Sequence, residues 1–136
     1  NQHDVDIIND STISIYNNNV IIGFNNKKIV KNNEIVFYHF DTNTFSKKFK
    51  KTFEDLKINT ITHGLVDFLD DGSAIIEDRN NSRIFYLDNE GKPVWEFYNI
   101  NNDYKKFDLW WSRIIKGEKL KKIKKLISNK NKLCKS

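Results

Sequence analysis

Asp67-Phe68-Leu69-Asp70-Asp71-Gly72-Ser73-Ala74-Ile75-Ile76-Glu77 reads as strand, tight turn, strand. Apolar runs flank an Asp-Asp-Gly tripeptide that supplies the acceptors and the backbone freedom a tight turn needs. The same grammar stands earlier in the chain, in Asp6-Ile7-Ile8-Asn9-Asp10-Ser11-Thr12-Ile13-Ser14-Ile15-Tyr16. A histidine precedes each copy, His3 the first and His63 the second.

Working outward from the second copy, strands are predicted over Gly64–Leu69, Ala74–Asp78, Arg83–Leu87 and Val94–Tyr98. They are separated by Asp70-Asp71-Gly72, Asn80-Asn81 and Asp88-Asn89-Glu90-Gly91, all turn formers. Around the first copy, strands are predicted over Val5–Asn9, Thr12–Tyr16, Glu34–Phe40 and roughly Thr44–Thr52. Glu34–Phe40 is nearly continuous apolar, the pattern of a strand covered on both faces. His39 within it reads as a satisfied core histidine. The outer strand is rich in Lys, which discourages edge pairing. The polar stretch Asn17–Asn33 contains Val20-Ile21-Ile22, a candidate extra strand. A repeat of this length made only of short strands predicts an all-β architecture of two four-stranded antiparallel β-propeller blades. Trp95, central in its strand, is expected to pack between blades.

Beyond Tyr98, Asn101–Asp108 reads as a loop, and Trp110-Trp111-Ser112-Arg113-Ile114-Ile115 as a segment returning to the last blade. Glu118–Asn129 carries Leu120, Ile123, Leu126 and Ile127 at helical spacing with lysines elsewhere, so a short basic amphipathic helix is predicted. The expected division is 1–115 for the blades and 116–136 for the helix and tail.

Composition narrows the function. The 136 residues include ten Phe, five Tyr and three Trp, enough for a real core. With five Gly and one Pro, Asn and Asp must form most turns. The net charge of +5 is divided unevenly. Residues 1–115 hold 14 Lys+Arg against 17 Asp+Glu, and 116–136 hold nine Lys against Glu118. The β-rich part is therefore mildly acidic, without a nucleic-acid footprint, and no nucleic-acid partner is expected. The tail leaves a membrane surface open as a partner. One cysteine, Cys134, excludes an internal disulfide framework. Three scattered histidines offer no zinc spacing, and neither a phosphate-binding glycine loop nor a serine elbow is present. No metal and no cofactor are expected. The opening Asn1-Gln2-His3 lacks an initiator Met. The chain reads as the C-terminal part of a larger propeller, with upstream blades as partners and its compartment not fixed by composition.

Candidate site residues follow from topology. In an antiparallel blade, the start of the first strand, the end of the second and the second-to-third loop share one rim. His3 with Asn17 and Asn18, and His63 with Arg79, Asn80 and Arg83, should gather there, where the innermost strand opens on the channel. Imidazole, guanidinium and amide groups together suit a small anion such as sulfate, phosphate or carboxylate. The bland reading is that the histidines cap turns and that Arg79 and Arg83 pair with acids such as Asp78 or Asp88.

Gln2-His3, followed by Ile13-Ser14-Ile15-Tyr16-Asn17-Asn18-Asn19, resembles the catalytic segment of the bacterial aryl sulfotransferases (arylsulfate sulfotransferases). In that family a Gln-His pair precedes a strand and a second strand ends in Asp-Asn-Gly. Asn33–Asp41 parallels a further family strand, and Ser82–Asp88 with Gly91-Lys92-Pro93-Val94-Trp95-Glu96-Phe97 have the form of its blade endings. The resemblance spans roughly Asn1 to Ile115. It implies a six-bladed propeller that moves sulfate from a phenolic ester to a phenol acceptor through a sulfated histidine, without the nucleotide sulfate donor. His3 would be that histidine, and Asn18, His63, Arg79 and Arg83 would bind substrate. A periplasmic or secreted location is implied as well. The chain departs from the family pattern at Asn17-Asn18-Asn19 and at Asn33-Glu34, where the family has Ser-Arg. The competing readings are a non-catalytic propeller binding a small anion, carbohydrate or protein, and a chain whose basic tail is the active part.

Overall fold

The computed structural model describes residues 2–22, 28–103, 105–109 and 112–133, with the backbone alone at 2, 3, 22, 28–30 and 129–133. Strands β1 (Gln2–Asn9) and β2 (Thr12–Asn17) form a hairpin. A small hairpin follows, β3 (Val20–Ile22) with β4 (Lys28–Val30), so the apolar run at 20–22 is a strand. The chain then rejoins the sheet through β5 (Glu34–His39) and β6 (Thr44–Lys48). This first sheet has the order β1-β2-β5-β6, antiparallel throughout. The second contains β7 (Leu65–Phe68), β8 (Ala74–Asp78), β9 (Arg83–Leu87) and β10 (Pro93–Tyr98), each beside its neighbour in sequence. These are two four-stranded antiparallel blades, as the repeat predicts.

Alternation decides what is buried. In β2, Thr12, Ser14 and Tyr16 point inward while the residues between them are half-buried. Tyr16 and Ile35 of the first sheet meet Val66, Ile76, Phe85 and Leu87 of the second in one core. Full burial of each large side chain contributes about 1.5–3 kcal/mol. Aromatic packing continues toward the edge, with Phe37 and Phe68 centroids 5.4 Å apart.

The segment between the sheets differs from expectation. The fourth strand ends at Lys48 rather than running to Thr52, because Phe49 takes a left-handed conformation (φ 57°) and opens helix α1 (Lys50–Asp55). Phe49 and Phe53, one helical turn apart, both enter the core between the sheets. Lys51 and Asp55 pair across the helix surface at 2.7 Å. A strand would put Lys51 on the same face as Phe49 and Phe53 and hold it too far from Asp55 to pair, whereas a helix buries both phenylalanines and leaves Lys51 exposed beside Asp55.

Trp95 also departs from expectation. It pairs with Tyr86 on the face turned away from the core, stacks on Phe97 and is half exposed. Near the end of the chain, the Ser112 N–H donates to Glu77 Oε2 at 2.8 Å and the Ile114 N–H to Asp67 Oδ2 at 3.4 Å. The chain thus returns to the last blade; Trp110 and Trp111 lie outside the described residues. Helix α2 (Gly117–Leu133) closes the described chain and is longer than the predicted Glu118–Asn129.

Candidate active site

The innermost strands β1 and β7 lie side by side, and both begin at the same end of the blades. Among the described residues the Val66 N–H links them, donating to Asp4 Oδ2 at 2.8 Å. Asp4 can reach across because β1 carries a bulge there. His3 pairs with Tyr16 and Val5 with Ile15, leaving Asp4 as the extra residue with φ 51°. Bulges twist a strand locally and re-aim what sits beside them, and His3 is the neighbouring residue. The His3 backbone is therefore fixed at the rim; its side chain lies outside the described residues.

Asn18 is fully buried. Its amide Nδ2 donates to the carbonyls of Thr60 (2.9 Å) and His63 (2.8 Å), so it ties the first blade to the segment entering the second. Among the described residues, its Oδ1 has no hydrogen-bond partner. His63 sits at φ 62° with its ring exposed, immediately before Gly64 at φ 132°. This double positive-φ turn carries the chain over the Tyr16 ring into β7. A 3₁₀ turn over Arg79–Asn81 follows β8, and Asn80 Oδ1 accepts from the Ile61 N–H at 3.0 Å. The backbones of His3, Asn18, His63, Arg79 and Arg83 are thus gathered at one end of the two sheets.

Beneath them runs a buried polar network. The Tyr16 hydroxyl and the Thr60 N–H both donate to Asn33 Oδ1, at 3.0 and 2.7 Å. Asn33 Nδ2 donates to the carbonyls of Asn18 and Thr60. The Thr60 hydroxyl donates to Asp78 Oδ1 at 2.8 Å. Asp78, completely buried, also accepts from Asn81 Nδ2 and from Arg83 Nε at 3.0 Å, and forms an ion pair with the Arg83 Nη2. Arg83 Nη2 donates in addition to the Leu56 carbonyl. The neighbouring-acid pairing weighed for Arg83 from sequence is therefore present. His39 is satisfied too, with its ring nitrogens 3.2 Å from Thr12 Oγ1 and 2.8 Å from Ser46 Oγ.

The arylsulfotransferase (ASST) family model matches residues 1–100. The chain belongs to the arylsulfotransferase family. No curated protein and no solved structure matches it.

Two departures of this chain from the family motif fall at positions with a defined structural role. Asn19, where the family turn has Gly, holds φ 50°, a left-handed conformation that Asn tolerates best after Gly. Its Nδ2 donates to the Asn32 carbonyl at 2.9 Å, pinning the β3–β4 hairpin to the rim. Asn33 belongs to the buried network. Burial pushes the adjacent Glu34 carboxyl up, but bonds from Lys47 and Asn19 outweigh this and hold it below its ordinary value.

Below the rim the inner strands carry Asp4, Asp6 and Asp67. Burial raises the Asp4 carboxyl, the Val66 N–H opposes this, and the charges of Asp6 and Asp67 raise it further. Asp6 is raised by burial and then by Asp67. Sequence reasoning missed Asp4, Asn33 and Thr60 as parts of this end of the molecule, and named Asp78 only as a partner for the arginines. The left-handed bulge at a non-glycine residue leaves no sequence signal. The Asn33–Thr60 and Thr60–Asp78 contacts join residues 27 and 18 positions apart.

Proposed function

We propose that this chain transfers a sulfuryl group from a phenolic sulfate ester to a phenol, with His3 as the group carrier. The imidazole nitrogen attacks sulfur, an S–N bond forms, the S–O bond to the aryl group breaks, and the phenolate leaves and takes up a proton. The acceptor phenol oxygen then attacks the same sulfur, the S–N bond breaks and the phenol proton departs. Two steps through a good nucleophile replace one difficult transfer. His63, Arg79, Asn18 and Arg83 are assigned to substrate binding, where donors around the sulfuryl oxygens stabilise the charge that develops in the transition state.

The observation that carries this reading is Gln2-His3 at the mouth of the innermost strand, inside the matched residues and beside a bulge bonded to the next blade. The family match supports phenolic substrates in general. The test is release of nitrophenol from nitrophenyl sulfate in the presence of an acceptor phenol. His3→Ala should abolish release while far-UV circular dichroism stays unchanged. His63→Ala should lower it more mildly. Equal turnover by wild type and His3→Ala would refute the assignment. A chain ending at residue 115 should retain turnover, in keeping with the division into blades and tail.

One observation favours a second reading, a non-catalytic propeller that binds a small anion, carbohydrate or protein. Asn18 is engaged in bonds that tie the first blade to the segment entering the second, and Arg83 is paired with Asp78 inside the second blade. Under that reading nitrophenyl sulfate binds without turnover in both proteins.

A further inference from the structure

Helix α2 concentrates the positive charge of the chain. Lys119, Lys121, Lys122, Lys124 and Lys125 project from it, Lys116 precedes it, and Glu118 is its one acidic residue. Glu118 is paired with Lys121 at 2.6 Å. Among the described residues, Lys119, Lys122, Lys124 and Lys125 have no acidic partner. Leu120, Ile123 and Ile127 form a stripe at spacings of three and four, flanked by Lys119 and Lys124. Leu120 and Ile123 are half-buried, while Leu126 and Ile127 are 66% and 56% exposed. Among the described residues, no helix is long and apolar enough to cross a membrane.

We propose that α2 lies in the interface of a bilayer bearing anionic headgroups and docks the chain there. Lysines spread around a helix with a narrow apolar stripe fit an amphipathic helix lying in the headgroup plane, with charge complementing the lipid phosphates. A nucleic-acid partner would leave Leu126 and Ile127 unused. The helix also contains no arginine, the side chain whose planar fork suits bidentate phosphate recognition. The helix starts beside the β7–β8 turn, where Lys116 Nζ stands 3.9 Å from Asp70 Oδ1. That turn is at the opposite end of the sheet from His63 and Arg79–Asn81, so docking through α2 leaves the rim uncovered.

The experiment is co-sedimentation of the full 136-residue chain with two vesicle types. One is phosphatidylcholine alone; the other contains about one-third phosphatidylglycerol. Binding is expected to the anionic vesicles only and should weaken steeply as salt shortens the screening length. Replacing Lys119, Lys122 and Lys125 together by Gln should weaken it about a hundredfold, near fivefold per lysine. Leu126→Ser with Ile127→Ser should weaken it about tenfold. Both variants should keep wild-type helicity by circular dichroism. Absence of binding to anionic vesicles overturns the proposal. So does a serine variant that binds vesicles as well as wild type, especially if the chain holds duplex DNA equally tightly, because that would make the helix a plain polycation. Neither outcome bears on the His3 assignment, which nitrophenol release tests separately.

Discussion

Asp78 ties the turn after β8 and the start of β9 to the segment that enters the second blade. It is completely buried and takes bonds from Thr60, Asn81 and Arg83, so its charge is matched by donors from three segments. Asp78→Ala should cost about 3 kcal/mol in denaturant unfolding, since it leaves a largely buried guanidinium without its acid. Arg83→Ala should cost a similar amount, and the double variant less than the two added together. The inner-strand carboxylates act in the opposite sense. Because Asp6 is raised in the folded state, the folded chain holds that proton more tightly than the unfolded chain does. Stability therefore falls as pH rises through the raised value, and the penalty is fully present above it. Asp6→Asn should raise Tm by a few degrees at neutral pH. The gain should vanish on acidification to the ordinary aspartate range, as thermal melts across that window would record. At this scale the shared rim position of the His3 and His63 backbones was legible, because each precedes the turn of a repeated strand–turn–strand unit. Asn33 and Thr60 were not, because their importance comes from partners on other strands.

At the scale of elements, the second blade was read almost as it stands. Ala74–Asp78 and Arg83–Leu87 match the prediction end for end, because polar turn residues bracket short alternating runs. Helix α1 was hidden inside a lysine-rich stretch that also reads as an outer strand. The available signals were the Phe49–Phe53 spacing and the Lys50–Glu54 and Lys51–Asp55 pairs at i, i+4. The entry into β7 depends on Gly64. At φ 132°, a Cβ there would lie 2.7 Å from Tyr16 Cζ, so a side chain meets both backbone strain and the buried ring. Gly64→Ala should destabilise the chain by roughly 3 kcal/mol. It should also disturb the rim by displacing Tyr16 from Asn33. Unfolding in urea checks the first effect, and slower nitrophenol release in the folded variant checks the second.

For the whole molecule, the faces left uncovered matter as much as the core. The side of the first sheet turned away from the second presents Val5 (61% exposed), Ile7 (83%) and Phe45 (69%). Apolar surface of that kind marks an association site, so the chain should self-associate as its concentration rises. Ile7→Lys should shift sedimentation velocity profiles toward monomer without lowering stability.

The central claim concerns the carrier of the sulfuryl group, and mass spectrometry of the acid-labile intermediate addresses it most directly. The chain is mixed with nitrophenyl sulfate without an acceptor, quenched at alkaline pH and digested. A sulfuryl adduct should appear on the peptide containing His3 and disappear when phenol is added before the quench. Nitrophenol released with no adduct on that peptide, or with an adduct on His63 or another residue instead, would contradict the account.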